Sequence, residues 1–166
     1  MSPTASLDRR RLQSYLGDHL TGADAGRARA LKMKEWYADD ELGPEMARVA
    51  DEIDEDHAHL DRLIGRLGLR QPLPFRAAAR LGEIAGRLKP NGRLLGSTPL
   101  TPLLELELLR SAVAGKQGLW ETLEANAALL GLDPQEYARL AGRAERQQKT
   151  LVKLHARLRE SAFTEE

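Results

Sequence analysis

The chain has 166 residues, with 25 basic and 25 acidic side chains and so a formal net charge of zero; no global field recruits nucleic acid or a membrane surface. Cysteine is absent, which excludes disulfides, thiolate metal sites and a cysteine nucleophile. The N-terminal stretch through Arg11 lacks an apolar signal core and no later apolar run reaches the ~18 residues of a membrane span, so a single domain over 1–166, soluble and cytoplasmic, is expected.

Strand signals are scarce: aromatics are 4% of the chain and no run alternates with period two. Leu and Ala recur at helical spacing instead. The first helix is expected over about 7–37, with the stripe Leu12, Leu16, His19, Ala23, Gly26, Ala30, Met33 and Tyr37 facing inward. Asp39-Asp40-Glu41-Leu42-Gly43 closes it, and Pro44 suits the first turn of the next. That second helix, about 44–67, carries the stripe Met46, Val49, Ile53, Asp56, Leu60, Leu63 and Leu67, with Gly68 as its stop.

A long crossover follows. It opens with Pro72 and Pro74, holds a shorter amphipathic helix over 75–88 and breaks at Pro90-Asn91-Gly92. The third long helix spans about 99–130, starting at Thr98-Pro99 or Thr101-Pro102 and ending at Gly131. The fourth, about 134–162, opens with the capping box Asp133-Pro134-Gln135-Glu136 and turns Tyr137, Leu140, Ala144, Gln147, Leu151, Leu154 and Leu158 inward. Short connections make helices one and two, and three and four, antiparallel pairs. With the long link between them, the pattern predicts an all-α, ferritin-like four-helix bundle with a helical crossover between helices two and three.

Charge is unevenly spread. From Asp39 to Asp61 there are ten acids against one base, and from Arg62 to Arg93 eight bases against one acid. The favoured reading is that these stretches neutralise each other across the fold; the sharper one is an acidic face for a cation.

The run Asp51-Glu52-Ile53-Asp54-Glu55-Asp56-His57-Ala58-His59 holds two of the four histidines. A metal site in such a bundle needs carboxylates and imidazoles converging from several helices, because a divalent ion wants oxygen donors to balance its charge and imidazoles to fix its geometry. At 100° per residue, Asp56 and His57 turn inward, Glu52 lies on the boundary and His59 faces water. The first helix adds His19. The candidate ligands are therefore His19, Glu52, Asp56 and His57, for iron, manganese or zinc. Helix three offers only Ser111, Gly115, Gly118 and Thr122 at that height, and helix four offers Gln147 and Gln148. The competing reading is a buried hydrogen-bonded network that fixes helix register, since buried polar groups must find partners, and it is the favoured one.

On helix three, Leu100, Leu103, Leu104, Leu106, Leu108 and Leu109 cover almost every direction. A helix apolar all round is covered all round, which points to a homodimer through this helix. The basic stripe Arg139, Arg143, Arg146, Lys153 and Arg157 lacks interleaved aromatics. It reads as a solvated face or the complement of acidic helix two, which argues against a nucleic-acid surface. No phosphate loop, nucleophile elbow or His-Glu-x-x-His motif is present.

Tyr15-Leu16-Gly17-Asp18-His19-Leu20-Thr21-Gly22, Glu52-Ile53-Asp54-Glu55-Asp56, and Gly86 to Leu94 through Leu103-Leu104-Glu105-Leu106-Glu107 resemble a family of small, uncharacterised bacterial ferritin-like proteins. The likeness covers about Leu12 to Leu158. By position, the metal ligands of the wider superfamily would fall near His19, Asp56, Glu107 and Glu145, with His in place of Glu on helix one and Gln148 where a ligand His would stand. The leading expectation is a non-enzymatic, metal-degenerate bundle acting as a structural or interaction protein. The alternative is a metal-binding protein of oxidase or storage type, with Tyr15 or Trp120 as nearby oxidisable groups.

Overall fold

The Asp8 carboxylate accepts from the backbone N–H groups of Arg10 and Arg11 at 3.0 and 3.1 Å, satisfying two orphan donors and starting the first helix. The computed structural model describes residues 6–69, 100–160 and 162–164; the expected helix over 75–88 lies outside them. Among the described residues the fold is all-helical, with α1 Arg9–Trp36, α2 Gly43–Arg66, α3 Thr101–Ala125, the single turn α4 Ala127–Leu130 and α5 Pro134–Glu160. None of these helices is long and apolar enough to cross a membrane.

The third expected helix is divided. At Asn126 the side-chain Nδ2 donates to the Thr122 carbonyl at 2.8 Å, a local bond that competes with the helical ladder, and the chain re-enters helix only for one turn before Gly131 at φ 66°. Asp133 caps α5 by accepting from the Gln135 N–H at 2.9 Å; the Glu136 carboxylate lies 3.9 Å from His59. The α1–α2 turn depends on Gly43, where a Cβ would sit 2.4 Å from the Tyr37 carbonyl oxygen.

Contacts between helices show their directions. Arg27 pairs with Asp54 and Lys34 with Asp51 at 2.6 Å, so α2 runs back along α1. His155 meets Glu107 at 3.1 Å, and the Gln148 amide donates to the Arg110 carbonyl at 2.7 Å, so α5 runs back along α3. Arg29 pairs with Glu105 at 2.8 Å, and the start of α1 lies against the end of α3, which sets these two antiparallel as well. Arg66 near the end of α2 reaches Tyr137 near the start of α5, and the helix backbones α2 and α5 approach less closely than the other neighbouring pairs.

The inward stripes meet in one core. Leu16, Ala30 and Met33 of α1, Met46, Leu60 and Leu63 of α2, Leu106, Leu109 and Trp120 of α3, and Tyr137, Ala144 and Leu151 of α5 are all essentially solvent-free. Burying each large side chain contributes ~1.5–3 kcal/mol.

Among the described residues, Asp51, Asp54, Glu55, Asp56 and Glu41 of the acidic stretch 39–61 meet Lys34, Arg27, Arg143, Lys116 and Arg157; most of the basic stretch expected to neutralise it lies outside them. Helical packing brings those bases alongside α2 and the turn before it.

Candidate site: a buried ion network beside a cavity

Asp56 stands on the apolar stripe of α2, between Ile53 and Leu60, and folding removes it from water: it is 1% exposed. A carboxylate so placed requires a charged, hydrogen-bonded partner. It has two. The Lys116 ammonium, from α3, donates to Oδ2, and the Arg143 guanidinium, from α5, donates to Oδ1 while its other terminal nitrogen reaches Glu55 at 2.7 Å.

Gln147, also 1% exposed, joins the network. Its Oε1 accepts from Lys116 at 2.6 Å, and its Nε2 donates to Glu52 at 2.9 Å and to Asp56 at 3.4 Å. Only this amide orientation works, because a flipped amide would turn its N–H groups on the ammonium and its oxygen on two carboxylates. Burial pulls the Lys116 pKa below its usual value, and the Asp56 charge opposes that shift. At Arg143 burial also acts downward, but Asp56 and Glu55 outweigh it and the pKa is raised.

Next to the network is a partly open cavity of about 250 Å³ between α1, α2 and α3. Leu60, Leu109, Val113, Leu119 and Trp120 form its apolar wall, and Asp18, His19, Asp56, His57 and Lys116 also line it. Among the lining residues Asp18, Gly22 and Gly115 are exposed, which marks the side between α1 and α3 as its mouth. Gly26 allows close helix approach, since a Cβ there would lie 3.3 Å from Ala112. Gly22, one turn earlier, has nothing within 4 Å of an added Cβ. Gly22 therefore opens space rather than closing it.

Of the four candidate ligands, His19, Asp56 and His57 line this cavity and Glu52 lies outside it, on Gln147. The His57 Nε2 is 2.7 Å from the Asp24 carboxylate; a carboxylate only accepts, so that nitrogen carries the proton. His19 packs edge-on against Tyr15, ring centroids 4.6 Å apart, and its pKa is lowered by burial, with Asp18 opposing. Among the described residues no three His, Asp or Glu side chains converge as metal ligands.

His59 does not face water. Its ring stands edge-on to Trp120 and Tyr137, with centroids 5.6 and 5.9 Å away. Neighbours on two sides of α2 widen its buried arc beyond the apolar stripe. The inward polar residue of α3 is Lys116 rather than Ser111 or Thr122, which are exposed and bond back to the carbonyls of Glu107 and Gly118. The sequence held a signal for it: Lys116 continues the stripe Leu106, Leu109, Val113, Trp120 and Leu123 at steps of three and four. Arg143 and Arg157 do complement acidic α2 and the turn before it.

No family model, curated protein or solved structure matches the chain.

Proposed function

We propose that the chain is a ferritin-like four-helix bundle with a crossover, in which protein cations stand where a metal ion would and whose role is non-catalytic, as a structural or interaction protein. The observation that carries this reading is the pairing of both oxygens of Asp56, the one deeply buried carboxylate among the described residues, with Lys116 and Arg143. What supports the bundle is the antiparallel order of α1 with α2, α3 with α5 and α1 with α3, which a long link after α2 accommodates. The resemblance around His19, Asp56 and Glu107 points the same way.

A metal ion suits this donor set poorly. To reach Asp56 it must displace two cations, and any that remained would face it at short range. Each buried charge already has an opposite charge or an amide beside it, so the network ties α2, α3 and α5 in one register. Self-association through α3 belongs to the same reading: Leu104 is 45% exposed on its outer side, with Leu103 and Leu108 half-buried beside it.

Two measurements test it. Elemental analysis after soaking with iron, manganese or zinc is expected to give far less than one ion per chain, unchanged in Asp56→Asn. Stoichiometric metal that disappears in that variant would overturn the reading. Sedimentation is expected to give twice the 18.4 kDa chain mass, reverting to one chain in Leu104→Glu; a monomeric wild type would remove the self-association.

A further inference from the structure

The cavity is larger than packing explains. Apolar cavities of ~150 Å³ hold a benzene ring, and this one measures about 250 Å³. Any side chain at Gly22 or Gly115 would begin to fill it without a clash, since neither glycine has an atom within 4 Å of an added Cβ. Both sit inside helices, where glycine weakens the helix.

The polar groups in its wall limit what fits. The Asp56 charge is compensated by Lys116 and Arg143, and Lys116 donates to Asp56 and Gln147, leaving one of its three N–H groups. Trp120 is wholly buried, and its indole N–H has no partner among the described residues. A bound carboxylate would meet Asp56 and Asp18 in the same wall, and a bound ammonium would meet Lys116. Neither charge has an uncommitted counter-ion there, and burying a charge without one is expensive. A neutral molecule avoids this and can satisfy a spare donor.

We infer that this cavity is a binding site for an uncharged, largely apolar molecule of one or two rings bearing a hydrogen-bond acceptor such as a carbonyl oxygen. The ring system packs against Leu60, Leu109, Val113 and Leu119. The acceptor takes the remaining Lys116 N–H or the Trp120 N–H.

The test uses the full chain carrying Trp36→Phe, so that Trp120 is its only tryptophan, titrated by calorimetry and tryptophan emission. The probes are acetophenone, ethylbenzene, benzoate and benzylamine, which share a ring and differ in acceptor and charge. Acetophenone is expected to bind saturably at one per chain, at least about fivefold tighter than ethylbenzene, as one hydrogen bond predicts. Both charged probes are expected to bind at least about tenfold more weakly than acetophenone, the cost of an uncompensated buried charge. Gly22→Leu and Gly115→Leu, which fill the cavity from open positions, are expected to keep helicity and thermal midpoint while losing acetophenone binding. The inference is overturned if acetophenone does not saturate below its solubility limit, if either charged probe binds more tightly, or if both leucine variants bind acetophenone as the parent does. Equal affinity for acetophenone and ethylbenzene would refute the acceptor.

Discussion

Replacing Asp56 by leucine removes the carboxylate on which Lys116 and Arg143 converge. Arg143 retains Glu55 at 2.7 Å. Lys116, with only 13% of its side chain exposed, retains just the Gln147 oxygen at 2.6 Å, so it is the charge left stranded. Breaking a buried pair in this way costs ~3–5 kcal/mol. The lysine can escape by losing its proton, which at pH 7 costs about 5 kcal/mol from the ordinary lysine value of 10.5, so this route caps the penalty near the same figure. Because the unfolded chain then binds a proton that the folded chain does not, the variant regains stability relative to wild type as pH rises from 7 toward 10, by at most ~1.4 kcal/mol per pH unit. Lys116→Met alone costs less, ~1.5–3 kcal/mol, because Arg143 still holds Asp56. The double variant Asp56→Leu/Lys116→Met strands no charge, and the cavity that both residues line has room for the leucine. It is expected within about 2 kcal/mol of wild type, since well-packed apolar replacements of buried pairs are often neutral. Urea denaturation followed by circular dichroism measures all four corners of the cycle. A double variant as unstable as the two singles added together would show that Asp56 and Lys116 do not act as a pair, and the reasoning would fail.

Gly22→Ala and Gly115→Ala each place a methyl in open space on a helix and are expected to stabilise by ~0.5–1 kcal/mol, whereas Gly43→Ala drives a Cβ to 2.4 Å from the Tyr37 carbonyl and destabilises by at least as much; thermal midpoints that move the same way in all three would refute this. The His59 pKa is lowered from 6.5, chiefly by burial, with Glu136 opposing. The folded state therefore favours neutral imidazole while the unfolded chain takes up a proton near pH 6.5, so stability is full above that pH and falls below it, by at most ~1.4 kcal/mol per pH unit. His59→Phe is expected to flatten this fall between pH 7 and 5.5 in urea melts, and an unchanged slope would place the pH sensitivity elsewhere.

Helix positions and the identity of most inward residues were legible in the order of residues alone. Periodic Leu and Ala, the Asp133 cap and the Gly43, Gly68 and Gly131 stops are local signals, and α1, α2 and α5 lie within a few residues of their expected spans, whereas α3 ends at Ala125, short of its own. Asp56 and Gln147 were also legible as inward polar residues, because a helix rotates by a fixed angle per residue and both fall on apolar stripes. The interruption at Asn126 was not, since it depends on a side chain competing for one carbonyl.

What Asp56 faces, by contrast, only the tertiary structure decided. Its partners lie 60 residues away on α3 and 87 away on α5, and no periodicity within one helix reports which element will stand opposite. Lys116 and Arg143 each carry a long, flexible, charged side chain whose usual place is water. They turn toward the core because a buried carboxylate draws them there. The same holds for His59, exposed on a helical wheel and yet held between Trp120 and Tyr137, and for the cavity beside Gly22. A single strand of sequence sets which face of each helix is apolar; the pairing of those faces settles which polar groups among them are compensated, and with what.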